Sequence, residues 1–262
     1  MAGAADPVIA VQLYTLRGLL NDSARLGDVL GRLREIGYES VEVAGLGDGV
    51  VERFGDELRR SGLKACAAHS SLNRLHEQMD VVAGECKQWG CEYVVVPSLP
   101  ASYRSRRGFE RFAAEATELA APLAGHGIKL AYHNHAYELE RFDGATGLET
   151  LLASADPGVL AIELDTYWLQ FGGANPATWI RRHAGRAPLV HLKDMAIADG
   201  DPVDAEIGEG NLDWSDVLSA CLQAETRWLV VEQDDPRGDP LQAVATSYGN
   251  LKRFLAEATM RR

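Results

Sequence analysis

Basic residues are scarce in this chain: 26 Lys and Arg stand against 38 Asp and Glu, a formal net charge of −12. Binding to a phosphate backbone rests on Lys and Arg neutralising charge, so this balance argues against a nucleic-acid partner. The one basic cluster, Arg104-Ser105-Arg106-Arg107, is short and reads as a solvated surface turn. Cysteine is also sparse. Cys66, Cys86, Cys91 and Cys221 contain no Cys-x-x-Cys pair, so they read as buried free thiols of a reducing compartment rather than a disulfide framework. No stretch approaches the ~18 consecutive apolar residues of a membrane span. Met1 to Asp6 is neither basic nor strongly apolar, so no leader is expected and the expected location is cytoplasmic. A dinucleotide fingerprint is missing too. Gly45-x-Gly47-x-Gly49 imitates G-x-G-x-x-G only weakly and reads as a loop.

What is present is a regular succession of short apolar runs. Val8–Leu13, Ser40–Val43, Leu63–Ala68, Tyr93–Val96, Lys129–Tyr132, Val159–Leu164, Pro188–Val190 and Trp228–Val231 have the length and composition of buried parallel strands. Helix-period segments separate them, including one after a cap at Asp22 or Ser23 and one from about Leu75 to Trp89. Gly37, Gly62, Gly90, Gly127 and Gly158 each stand just before a strand, which is the punctuation of repeated βα units. Eight such units within 262 residues, without a linker or composition break, predict a single α/β domain over 1–262, a (β/α)8 TIM barrel. A doubly wound open sheet is the alternative, weakened by the missing fingerprint.

In parallel α/β folds the strand C-termini share one face, where sites form. Four runs here end in residues that bind metals or move protons: His133-Asn134-His135 with Glu138, then Asp165, then His191 with Lys193, then Glu232. A carboxylate ending a buried strand must be paired, metal-bound or exposed at a site. Asp165, His191 and Glu232 form an oxygen and nitrogen set suited to one divalent metal, Mn²⁺ first, with Co²⁺, Mg²⁺ or Zn²⁺ as alternatives. One of His133, His135 and Glu138 is expected to complete the set and another to act as general base. The strand period puts His191 and Lys193 on one face, where Lys193 either steadies a developing oxyanion or pairs with Glu163. Gln12, Glu42, His69 and Trp168 are candidate substrate contacts, with Tyr14 and Glu209 as weaker ones.

The motifs Tyr132-His133-Asn134-His135-x-x-Glu138, Glu163-Leu164-Asp165-Thr166-Tyr167-Trp168, Phe171-Gly172-Gly173-Ala174-Asn175-Pro176, His191-Leu192-Lys193-Asp194-Met195, Gly208-Glu209-Gly210-Asn211-Leu212-Asp213-Trp214 and Val231-Glu232-Gln233-Asp234 resemble the xylose-isomerase-like TIM-barrel superfamily. That group includes sugar phosphate isomerases/epimerases and inosose dehydratases, and the resemblance spans almost the whole chain. It implies one divalent metal held by Glu, Asp, His and Glu at the ends of strands five to eight. Asp165, His191 and Glu232 match the last three positions. Where many members have the first Glu, this chain has His133. Glu138 is the fourth ligand expected, since it would restore a two-Glu pattern and leave His135 free as base, with His133 as a further catalytic candidate; His133 as the ligand would instead keep the strand position.

The implied reaction is enolisation of a sugar, keto-sugar or cyclitol, giving isomerisation or epimerisation, with β-elimination from a 3-keto-glycoside or inosose as the alternative. The His-x-His at strand five resembles the dehydratase and keto-sugar lyase branches. Homodimers are common in this group. A sugar-binding protein without chemistry and a multi-metal DNA-repair nuclease are the rivals. The negative charge and the shortage of ligands for a metal cluster weigh against the nuclease.

Overall fold

The computed structural model describes residues 6–47 and 49–260. Met1 to Ala5, part of the stretch expected to carry no leader, and Asp48 of the Gly45–Gly49 loop lie outside the described residues. Eight strands are hydrogen-bonded in parallel around a closed ring: β1 (Val8–Gln12), β2 (Ser40–Val43), β3 (Lys64–His69), β4 (Tyr93–Val96), β5 (Lys129–His133), β6 (Leu160–Asp165), β7 (Leu189–Leu192) and β8 (Trp228–Val231). Pairing β8 with β1 closes it, through registers such as Val11 with Val231. The protein is a (β/α)8 barrel.

Both strand faces are buried, which is why the strands read as continuous apolar runs. Val11, Val41, Val94, Ile162, Val190 and Leu229 face the helices in one large core. Alternate residues point inward. Ala10, Ala67, Val95, Ala131, Leu189, Trp228 and Val230 form a separate core inside the barrel. One pleat repeat further along, the inward positions turn polar: Gln12, Glu42, His69, His133, Glu163, His191 and Glu232. The strand C-termini thus raise a layer of ionisable groups directly onto an apolar floor.

Four of the five punctuating glycines adopt positive φ, from +73° at Gly62 to +121° at Gly37. At Gly37 a Cβ would also meet the Tyr248 hydroxyl oxygen at 2.7 Å, so glycine is demanded twice. Gly158 has no such conformation; it follows Asp156, whose carboxylate accepts its N–H in a local turn. The helical layer is more broken than the sequence pattern suggests. Leu72–Glu77 and Met79–Trp89 meet at Gln78, where φ is −138°. The helix Leu26–Ile36 starts without a side-chain cap, because the Asp22 carboxylate accepts from the Ala24 N–H instead. All four cysteines are free and buried. Among the described residues, no helix is long and apolar enough to cross a membrane.

After β7 the chain makes an antiparallel hairpin, Asp194–Ala198 with Asp201–Ala205, before rejoining the barrel. Asp194 anchors this excursion. Its buried carboxylate accepts N–H groups from Met195, Gly208, Gly210 and Leu212 at 2.8–3.2 Å, and the Trp214 indole N–H at 2.5 Å. A Cβ on Gly210 would lie 2.3 Å from Asp194 Oδ1, so the loop closes this tightly only around glycine. Asp194→Asn sets an amide NH₂ against these donors. The expected loss is about 3 kcal/mol, read as a lower urea midpoint at unchanged m-value.

Candidate metal and catalytic centre

Asp165 ends β6 and begins the next helix, and its two oxygens divide the work. Oδ1 accepts the Trp168 N–H at 2.8 Å as an N-cap. Oδ2 is buried without a hydrogen-bond partner. It lies 3.8 Å from His133 Nε2, 3.7 Å from Lys193 Nζ and 4.0 Å from His191 Nδ1. Burial pushes the Asp165 carboxyl up to about 7, against the pull of Lys193 and His191. Asn134, facing away from its histidine neighbours, accepts the Asp165 backbone N–H at 3.1 Å and ties β5 to β6.

Glu232 Oε2 is 2.8 Å from His191 Nδ1 and 3.5 Å from Lys193 Nζ. Burial raises this carboxyl, but Lys193 and His191 outweigh it and hold it well below the carboxylate range. Donor atoms of Asp165, His191 and Glu232 all lie within 4.8 Å of one another, and all three residues are buried. An orphaned carboxylate oxygen facing a histidine nitrogen and a second carboxylate fits a hard or borderline divalent cation.

Glu138 sits elsewhere. It belongs to a single 3₁₀ turn, Tyr137–Leu139, where it accepts the Tyr132 hydroxyl at 2.5 Å and the His135 backbone N–H at 2.9 Å. Tyr132 faces the helices, packing on Phe112, so the turn carries Glu138 away from the other three acidic and histidine donors. His133, not Glu138, is the residue of the fifth strand that faces Asp165. Burial raises the Glu138 carboxyl to about 7. An acid whose folded pKa is raised destabilises the fold only once charged, so this cost is absent below about 4.5 and complete above about 7. Glu138→Gln can accept from the His135 N–H and donate to Tyr132. It is expected to raise stability at pH 8 by about 3 kcal/mol at most and to change little at pH 4.5, measured by urea unfolding at both values.

His135 shares a face with His133, their rings 5.0 Å apart, and packs against Trp168 at 5.1 Å. Its Nδ1 has no partner. Burial and the nearby Lys193 lower its pKa to about 4, so the ring is neutral and able to accept a proton at physiological pH. His133 is likewise held below its usual value, by burial and by His191. Lys193 is almost completely buried among Asp165, Glu232 and Asp234, with its ammonium 5.3 Å from the Trp168 ring centroid. Burial opposes its charge, but Glu232, Asp165 and Asp234 keep it protonated well above the normal lysine range. No Lys193–Glu163 pair is formed; Lys193 pairs with the other carboxylates instead.

The expected substrate contacts divide. His69 lines a mouth cavity of about 530 Å³ with Tyr14, Ser98, His133, His135, Glu232 and Asp234. Trp168 backs His135. Gln12 and Glu42 are fully buried, joined at 2.9 Å, and belong to the layer beneath. Glu209 is exposed and bonded to Asn250. Sequence reading gave Glu163 no site role, yet its Oε2 lies 3.0 Å from His69 Nε2 and 3.0 Å from His133 Nδ1. The signal was available in the alternation Glu163-Leu164-Asp165, which puts both acids on one face. Asp234, three residues past the last apolar run, has no strand period to mark it, and its carboxylate pairs with Lys193.

Comparison with known proteins agrees with this architecture. A rhizopine catabolism protein, MocC, of Rhizobium meliloti is 31% identical over 62% of this chain, although the match spans only 55% of that relative's length. An inosose dehydratase of Geobacillus kaustophilus is 23% identical over 89% of this chain and 87% of its own. The crystal structure of a sugar phosphate isomerase/epimerase from Parabacteroides distasonis covers 95% of this chain and 100% of its own at a TM-score of 0.79 and 19% identity, a likeness of fold. The family model described as xylose isomerase-like TIM barrel matches residues 30–254, and the chain belongs to that family.

Proposed function

We propose that this protein is a divalent-metal-dependent enzyme that enolises a keto-sugar or cyclitol, and that β-elimination follows enolisation. The observation carrying this reading is a neutral His135 with a free Nδ1 lining the mouth cavity with Glu232 and Asp234, the two carboxylates that Lys193 pairs with, while the same ammonium lies 3.7 Å from the partnerless buried Asp165 Oδ2. Asp165, His191, Glu232 and His133 would hold the ion. When bound, it supplies Lewis acidity that polarises a ketone and acidifies the adjacent C–H.

The chain's own residues do the rest. His135 Nδ1 takes the proton next to the carbonyl. The released electron pair forms the enolate, whose negative charge Lys193 stabilises across a dry site. Expulsion of the β-oxygen, to which the His135 imidazolium returns its proton so that it leaves as water or as the alcohol of a glycoside, then restores the carbonyl as an α,β-unsaturated ketone. The Trp168 ring beside His135 limits water at the reacting face.

Isomerisation or epimerisation is the second reading. It shares the enolate and is supported by the likeness to the isomerase/epimerase fold. Elimination is preferred because returning a proton to the opposite sugar face needs a second uncommitted base, and the Glu232 carboxylate at the mouth is engaged by His191 and Lys193. It is also the direction of the dehydratase relative that spans most of both chains.

The test is proton NMR in D₂O with Mn²⁺-, Co²⁺- or Mg²⁺-loaded protein and a panel of inososes, 3-keto-glucosides and ketoses. Deuterium entering beside the carbonyl, with release of water or alcohol, is the expected outcome. Exchange giving only a new sugar isomer moves the assignment to isomerase. Tight sugar binding without exchange would overturn enolisation.

A further inference from the structure

His133 and His191 each stand between two carboxylate groups, with opposite ring nitrogens turned to the same side. His133 Nε2 is 3.8 Å from Asp165 Oδ2, while its Nδ1 is 3.0 Å from Glu163 Oε2. In His191 the order is reversed. Nδ1 is 2.8 Å from Glu232 Oε2, while Nε2 is 2.5 Å from Glu42 Oε2 and 3.2 Å from Glu163 Oε2. A neutral imidazole has one N–H and one bare nitrogen, and only the bare one can bind a cation.

We propose that Glu42 and Glu163 are positioning residues: they accept Nε2–H of His191 and Nδ1–H of His133, and so aim the bare nitrogens at the ion between Asp165 and Glu232. This rests on the metal reading of the site and adds how the two rings are oriented. An outer carboxylate accepting the second N–H of a ligating histidine sets both its tautomer and its basicity.

The inner layer is built for this task. Glu42 and Glu163 are fully buried, and each leaves its Oε1 without a partner. His69 Nε2 lies between them, 3.0 Å from Glu163 Oε2 and 3.4 Å from Glu42 Oε2, and Gln12 donates to the same Glu42 oxygen at 2.9 Å. His69 and Gln12 therefore hold the two carboxylates under the two rings. Donor atoms of His69, His133, Glu163 and His191 also lie within 4.8 Å of one another, so this layer has the makings of a second ion site. Filling it together with the outer one would make imidazolates of His133 and His191, each without its one N–H. Orienting the rings asks for neither.

The proposal is tested with ¹⁵N-labelled metal-free protein and with Mn²⁺ titrations. Long-range ¹H–¹⁵N spectra are expected to show His133 protonated on Nδ1. In Glu163→Gln the side-chain NH₂ can face the ring, so the His133 resonances should shift toward the Nε2–H tautomer. Mn²⁺ affinity by calorimetry should fall about 10- to 100-fold in Glu163→Gln and in Glu42→Gln, titrated below the melting transition of each metal-free variant. An Nε2–H tautomer in the unaltered protein overturns the proposal, as does unchanged affinity in both variants. Two Mn²⁺ per chain, one lost on Glu163→Gln, would make the inner layer a metal site instead. If the unaltered protein binds no Mn²⁺, the functional reading falls; the His133 tautomer still decides the orienting role separately.

Discussion

Asp165→Asn is expected to weaken Mn²⁺ binding by more than about 100-fold, beyond the loss expected for a carboxylate that only orients a ligating histidine, and to remove turnover with it. The substitution separates the two duties of this side chain. Asparagine is as good an N-cap as aspartate, so the bond to the Trp168 N–H survives. What disappears is the charge on Oδ2, the oxygen without a partner. The stability consequence has the opposite sign to the functional one. Because burial raises this carboxyl to about 7, the charged form costs stability that is absent below about 3.8 and complete above about 7. The metal-free variant at pH 8 should therefore melt no lower than the unaltered protein, while the rise in melting temperature on adding Mn²⁺ should vanish. Equal Mn²⁺-induced shifts in the two proteins would remove Asp165 from the ligand set.

How much of this could be read in advance depended on periodicity. The eight strands were legible because each is a short apolar run and β/α alternation leaves few other folds. Asp165, His191, Lys193 and Glu232 were legible because they end such runs, where the pleat dictates direction. The 3₁₀ turn at Tyr137–Leu139 has no such rule, which is why Glu138 could be placed three residues after His135 in sequence yet point to Tyr132 in space. The hairpin at Asp194–Ala205 escaped for a related reason: its strands are partly exposed and carry Pro202, so no apolar run marks them. The helix break at Gln78 is likewise a local backbone event without a Gly or Pro to announce it.

The polar layer shows a different limit. Glu42, His69 and Glu163 were visible as inward residues, but whether an inward residue touches substrate or supports another side chain depends on its height in the barrel. Height follows from the stagger between strands. The register pairs His133 with Glu163 and Asp165 with His191, so Asp165 stands one pleat above Glu163 on the same strand. A sequence pattern specifies the face, and the closed ring of pairings specifies the level.

Lys193→Met is expected to uncouple metal binding from catalysis. Its ammonium is the only cation bonded to Asp165, Glu232 and Asp234 among the described Lys and Arg side chains, apart from Arg17, which reaches only the Asp234 backbone oxygen. Removing it leaves the buried Asp165 without its nearest cation and Glu232 with His191 alone, and metal-free stability should fall by about 3 kcal/mol. Two of those carboxylates are the proposed ligands Asp165 and Glu232, 3.7 and 3.5 Å from Nζ. Freed from the ammonium, they should attract a divalent cation more strongly, so Mn²⁺ should raise the melting temperature of Lys193→Met more than that of the unaltered protein. Turnover should nevertheless fall by about 10²- to 10³-fold, the scale for losing one preorganised stabiliser of a developing oxyanion. A structural ion-pair role predicts the first two results but leaves the activity of the Mn²⁺-loaded, refolded variant intact. Loss of activity at full metal occupancy is thus the result that assigns Lys193 to the chemistry, and retained activity would restrict it to holding the carboxylates together.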